Sequence, residues 1–466
     1  MAPLVSNISS LPRQHLESGI RARLDHVLDT LVDAVCIVDP DGHFVYTSAA
    51  CERIFGYTPQ ELRGRQMLEL VHPDDRARTL AMAAAIMQGE LSTSFENRYI
   101  RKDGSVAHIM WSARWSQQDG VRIAVARDIT EHKHAAAVQA ALLAISEAAH
   151  TASDLGDLFR QIHAIIGGLL PARNFFVALH DAQTDTLSFP YFVDEHDAPP
   201  APQPLGSGTL SAEVIRSGEA LLLKSGEQHA LPARVRRPFI GSDSLDWLGV
   251  PLHSRGRTIG ALVVQSYSGE TRYTERDKQL LQFVCAQVAA AIERKQTETW
   301  LRHIAQHDTL TNLPNRKLFD DRLQAALARV ARDSEMLALL YIDIDRFKSI
   351  NDTLGHGVGD RLLHEVAQRI VSCVRETDTV GRMGGEFVVL LTGIRTPQSA
   401  MIAAEKILAG LQSPFELTEG PLSIAASIGV ALYPGHGSDA QHLVREADHA
   451  MYAAKNAGGN HCWMVG

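Results

Sequence analysis

Residues Leu337–Asp352, LALLYIDIDRFKSIND, read as an apolar strand that delivers two aspartates, Asp343 and Asp345, at its end. Ordinary sequences avoid two charges there, because an ionised carboxylate is costly to hold beside a core. The pair points to a functional site rather than to solvated loop acids. Around it, His307–Arg316 reads as a wide turn entering a helix, and Gly355–Asp360 as a Gly-rich loop opening another. Asp378–Leu391 reads as two strand halves joined by Gly384-Gly385-Glu386, and Ala426–Pro434 as a further strand. Asp448–Asn460 reads as a helix with Lys455 in its last turn and Gly458 beyond its end.

At 466 residues the chain is too long for one core, and roughly three domains are expected. The formal charge of −9 carries no basic footprint, so a nucleic-acid partner is not expected. Cys36, Cys51, Cys285, Cys373 and Cys462 show no metal-knuckle or redox spacing and read as reduced thiols. Met1 to Arg23 lacks an apolar signal core, and Ala136–Ala149, the closest approach to a membrane span, is interrupted by Gln139, Ser146 and Glu147. A cytoplasmic location is expected.

Residues 1–20 read as a flexible tail. In the next segment, 21–132, Val35–Val38 and His43–Tyr46 read as a hairpin around Asp39-Pro40-Asp41-Gly42. Thr58-Pro59-Gln60-Glu61 is a helix start with a hydroxyl cap, Pro at the first position and Glu three after the cap. Strands Phe95–Ile100, Val106–Trp115 and Val121–Arg127 complete a small antiparallel sheet. Residues 133–150 read as an Ala-rich linker helix. An α/β segment, 151–294, follows, with strands at Phe175–Asp181 and Thr186–Asp194 and a hairpin through Ser254-Arg255-Gly256. Its last helix runs from Thr274 towards a signalling helix, 295–306, able to pair with its copy in a homodimer.

The wording of the first segment, with FGYTPQELRG, HPDD, RKDGS and ARDITEHK, resembles a PAS domain. That of the second, GVPL, GRTIGALVVQS and YTERDKQLLQFVCAQVAAAIE, resembles a GAF domain. The ligands of both are unknown: the flavin-photosensor cysteine context and the cyclic-nucleotide GAF signature are absent. A lone histidine such as His72 or His108 is more often a surface or core residue than a haem ligand. The GAF segment fits an unliganded dimerisation module as well as a small-molecule sensor. Residues 307–466 resemble the GGDEF (diguanylate cyclase-type) domain along their full length. The resemblance implies a multidomain α+β chain: a PAS antiparallel sheet with helices, a GAF α/β domain and a palm-like (ferredoxin-like, nucleotide-cyclase) C-terminal domain, joined by helical linkers.

The same resemblance implies the joining of two GTP molecules into cyclic di-GMP, one GTP held by each domain of an antiparallel pair, with release of pyrophosphate. Such chemistry calls for Mg²⁺ or Mn²⁺ on hard oxygen ligands, assigned to Asp343, the Ile344 carbonyl and Glu386. Asp343 and Glu386 are the catalytic pair so implied. Phe347, Lys348, Asn351, Asp360, Gly384, Gly385 and Lys455 are implied in substrate binding, the lysines on phosphate and Asn351 with Asp360 on the guanine edge. Arg375 and Asp378 match the RxxD inhibitory product site.

Two departures from the family pattern stand out. The turn is Gly384-Gly385-Glu386-Phe387, one acidic residue short, and Gly459 stands where a phosphate-binding Arg is expected. Both are expected to weaken transition-state stabilisation. Three functions remain open: a slow diguanylate cyclase governed by PAS and GAF input; an inactive receptor for cyclic di-GMP or GTP reporting to a downstream protein; and a scaffold without a nucleotide. No phosphodiesterase domain is expected after Gly466.

Overall fold

The computed structural model describes residues 26–225, 235, 242, 244–269, 271–333 and 335–466; the expected tail, 1–20, lies outside them. The chain divides into two compact units, Met1–Ile292 and Glu293–Gly466.

In the first unit, β1 (Ala34–Val38), β2 (Phe44–Thr47), β3 (Ser92–Ile100), β4 (Val106–Ser116) and β5 (Val121–Asp128) form an antiparallel sheet of order β2-β1-β5-β4-β3. The Asp39 carboxylate accepts from the backbone N–H groups of Asp41 and His43 and so builds the β1–β2 turn. Helices α1 (Ala50–Phe55), α2 (Pro59–Leu62) and α3 (Arg76–Met87) lie between β2 and β3 in the chain, and Thr58 and Glu61 close the expected capping box on α2. The alternation in β5 turns Arg122, Ala124 and Ala126 towards the core.

Asp75, at the entry to α3, accepts from the backbone N–H and the guanidinium of Arg98 on β3. The Arg98 hydrogen bonds outweigh the opposing effect of burial and pull its carboxyl down to about 2. An aspartate that titrates near 3.9 when unfolded then contributes about 2 kcal/mol, present above that pH and lost as pH falls towards 2. Asp75→Asn is expected to remove most of this acid dependence from the stability of the first unit, read as thermal unfolding between pH 5 and pH 2.

A second sheet in this unit takes β6 (Asn174–Asp181), β7 (Thr186–Val193), β8 (Gln203–Pro204), β9 (Leu221–Lys224), β10 (Asp246–Ser254) and β11 (Arg257–Ser266) in the order β8-β7-β6-β11-β10-β9. Helices α4 (Thr130–Thr151), α5 (Leu155–Gly167) and α6 (Leu210–Ser217) belong with it, as does the start of α7 (Glu275–Gln306). The predicted closing helix and signalling helix are one uninterrupted α7. Leu281, Val284, Val288 and Ile292, at helical spacing, are its buried stripe.

In the second unit, α8 (Arg316–Asp333) leads to β12 (Met336–Ile344), followed by α9 (Phe347–Leu354) and α10 (His356–Cys373). Then come β13 (Thr379–Met383), β14 (Glu386–Ile394), α11 (Pro397–Gln412), a small hairpin of β15 (Phe415–Leu417) and β16 (Gly420–Leu422), β17 (Ala426–Tyr433), α12 (Ala440–Asn456) and β18 (Cys462–Met464). The sheet order is β13-β14-β12-β17-β18, with the predicted apolar strand at its centre. Ala338, Leu340 and Ile342 pack with α10 and α11 on one face. Leu337, Leu339 and Tyr341 pack with α8 and α12 on the other. At Gly429 of β17 an added Cβ would lie 2.0 Å from the Ala447 carbonyl oxygen, so only glycine admits α12 this close.

Candidate functional site

The site grows from the central strand. Tyr341 and Asp343 share the face turned to α12, and Asp343 stands where the apolar cover ends, 16% exposed. Helix α12, pressed on Gly429 beside Met451, carries Lys455 one turn further, and its ammonium pairs with the Asp343 carboxylate. The predicted phosphate ligand is thus, in this state, the counter-ion of the predicted metal ligand.

The hairpin departs from expectation. Its turn is only Gly384-Gly385, with Gly384 at φ +72°, and Glu386 is already the first residue of β14, paired with Met383. Phe387, fully buried, pairs with Arg382 on one side and Ile342 on the other. One further step of the β12–β14 ladder sets Glu386 opposite Asp343, where facing side chains stand about 5 Å apart. Glu386 belongs to the face of Met383 and Val388, the same as Tyr341 and Asp343. The shortened turn therefore moves the surviving acid into the ladder without turning it from Asp343. Tyr341 lies beside it: burial, then the charge of Glu386 and the hydrogen bond to it, push the phenol well above its ordinary range. Sequence reading missed Tyr341, whose alternation with Asp343 was the available signal.

Asp345 takes a structural part. Its carboxylate accepts from Ser427 Oγ at 2.8 Å and from the Asn460 backbone N–H at 2.9 Å, fastening the loop after α12 to β12. Gly459, the position of the missing Arg, has φ +71°, and a Cβ there would come within 2.6 Å of Asp345 Oδ2. The local backbone thus favours glycine at this position.

The predicted Gly-rich loop is shorter than expected. Gly355 alone, at φ +86°, separates α9 from α10, which starts at His356 and places Asp360 on an exposed turn of helix. Gly359 packs against Asn351 so tightly that a Cβ would sit 1.9 Å from Asn351 Oδ1. Phe347 borders the same glycine. Asn351 Oδ1 is buried with no hydrogen-bond partner among the described residues, an acceptor that a ligand N–H would satisfy. Lys348 is exposed on α9.

On the turn before β13, the Asp378 carboxylate accepts from the Arg375 and Thr392 backbone N–H groups at 3.0 and 3.1 Å. Asp378 braces the turn, and the Arg375 side chain extends into solvent. At the other end of β13, Arg382 pairs with Asp308 at 2.8 Å and locks the turn before α8 to the hairpin. Burial would raise the Asp308 carboxyl, but hydrogen bonds from Arg382 and Thr311 hold it below its ordinary value. This brace was also absent from the sequence reading.

Among the described residues no three histidine, cysteine or acidic side chains gather as a ready metal cluster. Asp343, the Ile344 carbonyl and Glu386 are two carboxylates and one carbonyl, which fits a single hard cation that takes its remaining ligands from phosphate and water.

The profile described as "Diguanylate cyclase, GGDEF domain" matches residues 305–461, "GAF domain" matches 152–293 and "PAS fold" matches 22–143. The chain is 45% identical over 173 residues to the bifunctional diguanylate cyclase/cyclic di-GMP phosphodiesterase MucR of Pseudomonas aeruginosa, covering 37% of this chain and 25% of that one. It is 47% identical over 157 residues to the diguanylate cyclase TpbB of the same species, covering 33% and 36%. The chain thus spans a quarter to about a third of these relatives. Among solved structures, the GGDEF domain of P. aeruginosa PA1120 (TpbB or YfiN) is 44% identical over 34% of this chain and 94% of that one, with a TM-score of 0.34. The coiled coil and GGDEF domain of DgcB from Caulobacter crescentus, in complex with c-di-GMP, is 30% identical over 40% and 99%, with a TM-score of 0.36. No helix among the described residues is long and apolar enough to cross a membrane.

Proposed function

We propose that this chain, which belongs to the GGDEF family through its last third and carries PAS and GAF domains ahead of it, is a slow diguanylate cyclase. The observation that carries the reading is the register of β14, which sets Glu386 beside Asp343 on one face of the sheet despite the lost acid. Asp343, the Ile344 carbonyl and Glu386 would hold Mg²⁺ or Mn²⁺. Such an ion, when bound, offsets phosphate charge and lowers the pKa of the attacking 3′-hydroxyl.

The chain's own residues do the rest. Asn351 Oδ1 and the Asp360 carboxylate accept from the N–H groups of the guanine edge, which gives the orphaned acceptor a partner. Lys348 neutralises phosphate, and Lys455 does so on releasing Asp343. Gly384 and Gly385 leave the turn bare enough for phosphate to approach the backbone. Each domain holds one GTP, so two copies must meet, and PAS and GAF input would govern that meeting.

The test is the full chain with GTP and Mg²⁺ or Mn²⁺, read as cyclic di-GMP and pyrophosphate. Slow turnover supports the cyclase. The shortened turn favours a second reading, a receptor, and its signature is no turnover with retained product binding. In either case Arg375, whose guanidinium reaches solvent, is assigned to cyclic di-GMP. Arg375→Ala is expected to weaken that binding about tenfold to a hundredfold by loss of charge-assisted hydrogen bonds, measured by calorimetry. Unchanged affinity would remove Arg375 from the product site.

A further inference from the structure

The core of the N-terminal sheet contains a charge that an ordinary core would not hold. Arg122 lies on the inward face of β5, 5% exposed, between Val38 on β1 and Trp115 on β4. No carboxylate lies within ion-pair distance of its guanidinium among the described residues. Its one hydrogen bond there runs from Nη2 to the thioether sulfur of Met67, at 3.2 Å. A thioether is a weak acceptor, whereas a guanidinium carries five donors in a planar fork. The phenol of Tyr99, in the same wall, and the Asp39 carboxylate act on it, but Asp39 belongs to the β1–β2 turn, where it already receives the N–H groups of Asp41 and His43. An uncompensated buried charge of this kind is strongly destabilising.

Beside the guanidinium is a cavity of about 40 Å³, room for more than one water-sized group. Phe44, Met67, Ile86, Phe95 and Trp111 supply most of its wall, and Arg122 is its one cationic residue. Two of the polar residues in the wall are already engaged, as Asn97 receives the Trp111 indole N–H and donates to Thr79, whose hydroxyl donates to the Asp75 carbonyl; Ser92 and Tyr99 add hydroxyls to the lining. One buried cation without a carboxylate partner, facing a small and mostly apolar cavity, is complementary to an anion with a short hydrocarbon tail.

We infer that this cavity is a binding site for a short-chain monocarboxylate, whose carboxylate pairs with the Arg122 fork and whose alkyl tail lies among Phe44, Ile86 and Trp111. The planar fork matches a carboxylate in two parallel hydrogen bonds, a geometry that a spherical halide cannot return. The tail replaces water in an apolar cavity and contributes in proportion to the area it covers. The carboxylate would give this sensor domain a diffusible input.

Titration of the full chain with sodium propionate, followed by calorimetry and by tryptophan fluorescence through Trp111, tests the inference. Saturable binding of propionate is expected, with 1-propanol and sodium chloride at matched ionic strength giving none. Arg122→Met keeps volume and removes the charge; it is expected to unfold at the same or a higher temperature while propionate affinity falls about tenfold or more. Arg122→Lys, which keeps a cation but loses the fork, is expected to bind between the two. Absence of saturable propionate binding to the unaltered chain would overturn the inference. So would equal affinity in a folded Arg122→Met chain, or chloride binding as well as propionate.

Discussion

Insertion of one aspartate between Gly385 and Glu386 is expected to raise cyclic di-GMP formation by about a hundredfold or more over the natural chain. The anchors on both sides of the turn are sound: Phe387 is fully buried between Arg382 and Ile342, and Arg382 is locked to Asp308. An added residue is therefore taken up within the turn rather than passed along β14, where a slip by one would turn its apolar residues to the wrong face. The hairpin then presents two acids, one in the ladder and one in the turn. A positioned group acting on transition-state charge is typically worth about 10²–10³ in rate. Gly459→Arg alone is not expected to match this gain, because that position has φ +71° and lies against Asp345, already bonded to Ser427 and Asn460. Initial rates of pyrophosphate release from the natural chain and the two variants decide the order. An insertion that stays at the natural level would place the limiting defect outside the hairpin.

Asp343→Asn is expected to have the opposite effect and to lower turnover by about a hundredfold or more. The amide keeps the shape of the carboxylate but loses the charge that faces Lys455 and that a hard cation requires. The fold should tolerate the change, since the side chain lies at the open end of β12 and not in either cluster that packs the sheet. Thermal unfolding should shift by only a few degrees, as a loss of about 1 kcal/mol does in a domain of this size. Cyclic di-GMP affinity should hold, because Arg375 and Asp378 belong to the turn before β13. Turnover that survives Asp343→Asn would sink the cyclase reading built on this residue and leave recognition as the function.

Much of this was legible in residue order. The apolar run ending in Asp343 is the central strand, the Thr58 box caps its helix, and Arg255-Gly256 turns its hairpin with both residues at positive φ. Other features were not. The Gly355–Asp360 loop reads as irregular because glycine is a poor helix former, yet α10 begins at His356 and its packing overrides that preference. The short strands β8, β9 and β18 carry too few residues for alternation to be seen. The buried Arg122 sits in a strand that reads as ordinary, because an arginine at an inward position is indistinguishable by period from a surface one until the sheet is closed.

The fate of the shortened turn divides the two kinds of information most sharply. Set beside the family pattern that the chain resembles, its residues show a turn one acid short, a glycine at 459 where that pattern carries an arginine, and Arg375 at its spacing from Asp378. Strand and helix periods, caps and turns are local, so neighbours in the chain suffice to specify them. Tertiary structure alone decides that the register carries Glu386 to the sheet face of Asp343, that Lys455 answers that aspartate and that Tyr341 attends Glu386. Those residues are tens of positions apart, and their meeting depends on the register of β14 against β12 and on the seat of α12 over Gly429. Register and seating are set by burying two whole faces of a sheet at once, which no single segment can do.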